Sequence, residues 1–274
     1  MKMLFVLGAQ DPEMDRIWEV LGKYGIAIDY ATKDGKRVHP GNAYMADNAF
    51  LLPDTFVVFV ECSVIGFMPD CRIDHHRPGD PGYGKGPEAY WEASSLGQMY
   101  ALLGVPPEEG DRVLAAMDHC FNSAMKGMCP GVPAGIVEER KILEISKATK
   151  VDPTELRRMV LNWQGEIGAR TARYEMSGEC GYLRFQNDVV IDLTDEDLGI
   201  GYSAEYLTAQ VAGVVAKQPI ILRVIDTAGG QPRLHLCGDA SPELVTHFMK
   251  HSEGDLERIY GAPDRGYAGG YKKN

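Results

Sequence analysis

Arg72-Ile73-Asp74-His75-His76-Arg77 places an acid and two adjacent imidazoles between two arginines, just beyond the apolar run Phe56-Val57-Val58-Phe59-Val60. Imidazole nitrogens bind divalent metals and move protons near neutral pH, a neighbouring carboxylate fixes the ring's orientation, and guanidinium groups hold phosphate. At the end of a buried strand the cluster reads as a metal and phosphate site. A solvated loop after a strand is the plainer alternative, which six residues alone do not remove.

Further carboxylates follow other apolar segments. Glu13 and Asp15 come soon after the run 3–7, Glu61 directly follows Val60, and Asp118 follows Val113-Leu114-Ala115-Ala116-Met117. Hard divalent ions prefer carboxylate oxygens, and an imidazole in the set favours Mn²⁺ or a later transition metal over Mg²⁺. Asp74 is suited to orient an imidazole as an acceptor. Beyond His76, residues 77–87 are rich in glycine and proline. They form either a long turn or a rigid flap bringing Arg77 and Lys85 to an anion, with Ser94 and Ser95 at a helix start whose N–H groups favour phosphate.

The elements that must position these residues are legible from periodicity. Residues 3–7 and 56–60 are continuous apolar runs of strand length, as in strands buried on both faces of a parallel sheet, and 26–30 is a third strand. Helical spacing runs from Asp15 to Tyr24, and helices are predicted at about 93–104 and 108–118, the second after Pro106-Pro107. This alternation predicts an α/β fold: a doubly wound parallel-sheet domain over 1–135 with its site at the strands' C-terminal ends. A helical connector follows over 136–175, broken where Asp152 caps a helix beginning at Pro153. A smaller α+β domain over 176–274 completes the chain; within it 211–215 has strand or short-helix character and 242–250 is helical.

Four segments in order resemble the motifs of the DHH phosphoesterase superfamily. Gly8-Ala9-Gln10-Asp11-Pro12-Glu13-Met14-Asp15 resembles the first motif, G-H-x-N-P-D-x-D; Glu61 stands at the second motif's acid; Asp74-His75-His76 matches the name-giving triplet; and 113–118 resembles the fourth motif. Ala93-Ser94-Ser95-Leu96-Gly97-Gln98 is similar to the family's small-residue helix start. The tail 259–271 resembles the glycine-rich motif of the DHHA1 substrate domain, with Arg265 in place of its histidine and Gly266 and Gly269 in the loop expected to hold substrate.

The resemblance implies roles position by position. Glu13 and Asp15 fall on the first motif's acids, and Asp15, Glu61, His75 and Asp118 make one complete metal site. His76 falls on the phosphate-contacting histidine, with Asp74 behind it. The second-motif acid would bridge two ions about 4 Å apart, a spacing suited to in-line displacement at phosphorus. The second site departs from the pattern, because Ala9 replaces its histidine and Glu13 and Glu61 stand where aspartate is usual. Either the longer glutamates rebuild it with Asp11 or His119, or it holds no ion; one or two divalent ions are therefore expected.

A formal charge of −11 opposes binding of long nucleic acid through its phosphates, but not of a small anion in a local cationic pocket. Six cysteines without C-x-x-C spacing, and no apolar run long enough to cross a membrane, predict a cytoplasmic protein with reduced thiols. The expected function is metal-dependent hydrolysis of a small phosphodiester or phosphoanhydride: a short oligonucleotide, cyclic dinucleotide or nucleotide. Expected partners are that substrate and, at most, a second copy of the chain, without long duplex DNA or a membrane. The rivals are a DHH-derived nucleotide-binding or regulatory protein and a single-metal enzyme of another reaction type.

Overall fold

The structure, a computed structural model, describes residues 2–51, 54–177, 182–196, 201–227, 231–252, 254–263 and 266–273. It divides into two units, 1–133 and 134–274, so the helices expected as a connector fall with the second unit.

In the first unit β1 (Met3–Leu7) runs into α1 (Pro12–Lys23), followed by β2 (Ala27–Tyr30), a short hairpin of β3 (Thr32–Lys33) and β4 (Lys36–Arg37), β5 (Phe56–Val60) and β6 (Cys71–Ile73). Helices α2 (Tyr90–Ala93), α3 (Ser95–Leu103) and α4 (Asp111–Met125) complete it. The main sheet is parallel throughout, in the order β2-β1-β5-β6. Alternation divides its residues between two cores. Phe5, Leu7, Val58 and Val60 pack with Met14, Ile17, Leu96 and Leu114 from the helices. Leu4, Val6 and Phe59 pack against Ala31, Val38, Ala46 and Val64, so an irregular segment covers that face.

Helix α1 begins earlier than the apolar spacing indicates, because Asp11 and Pro12 build its first turn. The Asp11 carboxylate accepts from Met14 N–H at 2.7 Å, and Pro12, which has no N–H to satisfy, takes the first helical position. The start of α1 is thereby held at the C-terminal end of β1, with Glu13 in its first turn.

The second unit opens with α5 (Ala134–Thr149) and α6 (Pro153–Ser177), where Asp152 accepts from the N–H groups of Thr154 and Glu155 as a cap. β7 (Tyr182–Phe185), β8 (Asp188–Asp192), α7 (Tyr202–Ala216), β9 (Ile220–Asp226), β10 (Arg233–Gly238), α8 (Pro242–His251), β11 (Leu256–Ala262) and β12 (Tyr267–Lys272) follow. The six strands form one sheet in the order β11-β12-β10-β9-β8-β7, with β8 and β9 parallel and the other neighbours antiparallel. Residues 211–215 belong to α7. The glycine-rich tail is a pair of strands rather than a loop: Gly269 sits between β10 and β11, where a Cβ would lie 2.6 Å from the Tyr260 hydroxyl. Among the described residues no helix is long and apolar enough to cross a membrane, and Cys62, Cys71, Cys120, Cys129 and Cys237 are free thiols.

Candidate metal centre

Three chain segments meet at the C-terminal edge of the parallel sheet. Glu61 leaves β5 in the left-handed region, with φ of 49°, a conformation that costs a side-chain-bearing residue of order 1–3 kcal/mol. Its N–H is held by the Ile73 carbonyl at 3.0 Å. Gly8 permits the close approach of β1, since a Cβ there would lie 2.4 Å from the Glu61 carbonyl oxygen. The Asp74 backbone is clamped by Gln98, whose amide accepts from Asp74 N–H at 3.3 Å and donates to its carbonyl at 3.0 Å.

These constraints bring Glu13, Glu61, His75 and Asp118 together, one ligand atom from each lying within 4.8 Å of the others. His75 Nε2 is 3.0 Å from Asp118 Oδ2 and 3.4 Å from Glu61 Oε1. Glu61, His75 and His76 form a second, overlapping set. Glu13 is 1% exposed and His75 4% exposed, so these two sit away from bulk water, whereas Asp118 is half-buried. Burial, then Asp118 and Glu61, hold the Glu13 carboxyl well above the usual range. Burial and the same two carboxylates raise Asp11 to about 8. Burial alone would lower His75, but contacts with Asp118 and Glu61 raise it to about 10. Burial would raise Asp118, yet His75 brings it down to about 2.

A divalent cation fits these residues. Apart from ion-pair contacts within the cluster, Glu13 Oε2, Glu61 Oε1, Asp118 Oδ2 and His75 Nε2 are buried without hydrogen-bond partners. Buried carboxylate oxygens left in that state are costly unless a cation completes them. Three oxygens and one imidazole nitrogen are a donor set for Mn²⁺ or a similar ion.

The arrangement corrects several expectations. Asp15 is exposed, accepts from Gln10 Nε2 at 3.0 Å and stays outside the cluster. Two residues along a helix turn the side chain by about 200°, so α1 cannot point both Glu13 and Asp15 inward. Ser94 and Ser95 are fully buried. Ser94 caps α3 by accepting from Gly97 N–H at 3.1 Å, and the Leu96 N–H goes to Glu13 Oε1 at 3.1 Å. The anion at this helix start is the protein's own carboxylate, not a substrate phosphate. Ala9 is buried in the apolar core beside Leu4 and Val6. Gly266 occupies a turn, with φ of 69° and its carbonyl accepting from Ala240 N–H, and Gly269 lies within β12, so both have structural accounts. Arg265 lies outside the described residues.

Asp74 does support His76: its Oδ1 accepts from the His75 and His76 N–H groups at 2.8 and 3.1 Å and lies 3.1 Å from His76 Nδ1. Tyr44 also donates to that oxygen, at 3.0 Å, from a residue no motif marks. Its ring lies 3.4 Å below the exposed Arg77 guanidinium, which is thereby placed beside His76. Lys85 is exposed, and its carbonyl is engaged by His119 at 2.9 Å.

No family model matches the chain, and no curated protein matches it in sequence. Among solved structures it is similar to the pGpG-specific phosphodiesterase PggH from Vibrio cholerae, with 12% identity, a TM-score of 0.50, and 99% of this chain covering 93% of that one. The chain thus shares its fold with that phosphodiesterase over nearly the whole length of both. A weaker likeness, with 13% identity and a TM-score of 0.39, is to Mn²⁺-bound RecJ from Thermus thermophilus; 99% of this chain covers 50% of RecJ.

Proposed function

We propose that the chain is a divalent-metal-dependent phosphoesterase acting on a phosphodiester or phosphoanhydride of nucleotide to dinucleotide size. The convergence on His75 of three carboxylates, Glu13 and Glu61 buried and Asp118 half-buried, with cluster oxygens completed by no other group among the described residues, carries this reading. The acidic composition, at a formal charge of −11, supports a small ligand over a long polyanion. So does the fold shared with an enzyme named for a dinucleotide substrate.

Glu13, Glu61, His75 and Asp118 would hold the ion. Bound there, a divalent ion supplies Lewis-acid polarisation of a phosphoryl oxygen and lowers the pKa of water at the site. His76, partly exposed and oriented through Nδ1 by Asp74, presents Nε2 to a phosphate oxygen or leaving group as hydrogen-bond or proton donor. Arg77, stacked on Tyr44, adds positive charge beside it. The burial of Ala9 among apolar side chains favours a centre with one ion, so a single-metal enzyme of another reaction type is the second reading.

Turnover of a length series in Mn²⁺, from mononucleotide esters through dinucleotides to long single strands, tests the proposal. Dinucleotide-sized substrates should be fastest. Rates that climb with length, or no hydrolysis of any phosphodiester by Mn²⁺-loaded protein, would remove it.

A further inference from the structure

We propose that His119 is a positioning residue that sets which nitrogen of His75 carries its proton, coupling the 77–87 loop to the metal-facing edge of that ring; the inference rests on the metal centre proposed above. Asp118 and His119, consecutive on α4, meet opposite sides of one imidazole. Asp118 Oδ2 is 3.0 Å from His75 Nε2, whereas His119 Nδ1 is 2.8 Å from His75 Nδ1. The two rings are offset and nearly parallel, with centroids 5.1 Å apart and planes at 29°.

The direction of the His75–His119 bond follows from its far end. His119 Nε2 lies 2.9 Å from the Lys85 carbonyl, which can only accept, so Nε2 carries the His119 proton. In the neutral imidazole Nδ1 is then the lone-pair nitrogen. Two nitrogens 2.8 Å apart share one proton, and that proton comes from His75 Nδ1. His75 Nε2, facing Glu61 and Asp118, is then the nitrogen that gives up its proton when a cation binds and offers it a lone pair, while Nδ1 keeps its own. With one nitrogen turned to His75 and the other to Lys85, His119 has no lone pair to offer an ion. It therefore does not replace the ligand missing at Ala9.

The Lys85 carbonyl is held by a built loop. Gly82 N–H donates to the Asp74 carbonyl at 2.9 Å, and Asp80 Oδ2 accepts from Arg77 N–H at 2.8 Å. Gly82 is pressed so closely that a Cβ would lie 2.0 Å from the Ala93 carbonyl and 2.7 Å from His75 Cβ. The same loop thus packs on His75 and, through Lys85 and His119, fixes its proton.

The test is calorimetric titration of Mn²⁺ into chelator-treated full-length protein, comparing wild type, His119→Phe and His119→Asn. Asn places an acceptor near the position of Nδ1, whereas Phe has none. His119→Phe should bind Mn²⁺ about 10–100-fold more weakly, the usual loss for a group that supports a metal-ligating histidine, and Asn should recover most of it. Phe at wild-type affinity, or Asn as weak as Phe, would overturn the proposal while leaving the metal centre standing. A wild type that binds no Mn²⁺ overturns both. Should His119→Phe not fold, imidazole ¹⁵N spectra of the Zn²⁺-loaded wild type decide the matter. A proton on His75 Nδ1 and on His119 Nε2 supports the proposal; a proton on His119 Nδ1 overturns it.

Discussion

Helices α1 and α4 bring carboxylates together in two places, with opposite outcomes. In one, Arg16 donates to Asp111 and Glu108 at 2.7 Å each, Lys23 reaches Glu108 at 2.5 Å, and the Tyr100 hydroxyl donates to Asp111 at 2.5 Å. Lys23 and Arg16 hold the Glu108 carboxyl below its usual range. In the other, one turn back on α1 and two turns along α4, Glu13 and Asp118 meet Glu61 with the His75 imidazole as the nearest offsetting group. Seven residues separate Asp111 from Asp118, so the helix presents them on nearly the same side. Residue type and spacing do not distinguish the clusters. What does is whether the chain brings its own cations: the first pins two helices together, and the second, on the function proposed above, would be completed by an ion from solution.

Substitutions at matched positions separate the two most sharply. Asp118→Asn should weaken Mn²⁺ binding by more than about a hundredfold, beyond the loss expected for a supporting residue, and turnover should fall in step. In chelator its stability should stay within about 1 kcal/mol of wild type, roughly 2–4 °C in melting temperature, because the lost contact with His75 is offset by relief from Glu61 and Glu13. Asp111→Asn should do the reverse. Stripping the carboxylate from Arg16 should cost about 2–4 kcal/mol with or without metal, by calorimetric unfolding, and leave Mn²⁺ affinity within about threefold. Equal effects of the two substitutions on metal affinity would erase the distinction.

Much of the first unit is legible in the sequence because strands buried on both faces, such as 3–7 and 56–60, are unbroken apolar runs. Glu13, Glu61 and His75 are legible because each sits at or near an element's end, where direction is set by where the chain stops, whereas Asp118 lies mid-way along α4 and is marked only by the fourth-motif pattern. Asp15 misleads, since a motif written as a line does not show that α1 starts at Pro12 and turns Asp15 outward. Ser94 and Ser95 mislead because a helix start that could bind phosphate can equally bind Glu13, and only the fold supplies Glu13 there. Tyr44 and His119 act through contacts across 30 and 44 residues, which local pattern cannot reveal.

A buried imidazole in the second unit extends the contrast with a smaller effect. His235 Nδ1 lies 3.0 Å from the Tyr260 hydroxyl, and the nearby Asp226 is paired with Arg233. Burial, then Arg233, lower His235 to about 4, whereas His75 rises to about 10. Because its folded pKa lies below the unfolded value near 6.5, the unfolded chain takes up the proton first as pH falls. The stability that neutral His235 contributes is complete above about 6.5 and is lost from there toward 4. Between pH 7 and pH 5.5 this group should cost about 1 kcal/mol. His235→Asn, which keeps an acceptor for Tyr260, should flatten the decline; an unchanged slope would show that His235 does not titrate in this way.

The central claim is that Glu13, Glu61, His75 and Asp118 are completed by a divalent ion, and anomalous scattering from crystals grown with Mn²⁺ tests it most directly. The expected result is a manganese peak bonded to Glu13, Glu61, His75 and Asp118, with Asp15 uncoordinated. Full-length protein that shows no peak among these four side chains, or a peak held by Asp15 with Glu13 turned away, would contradict it.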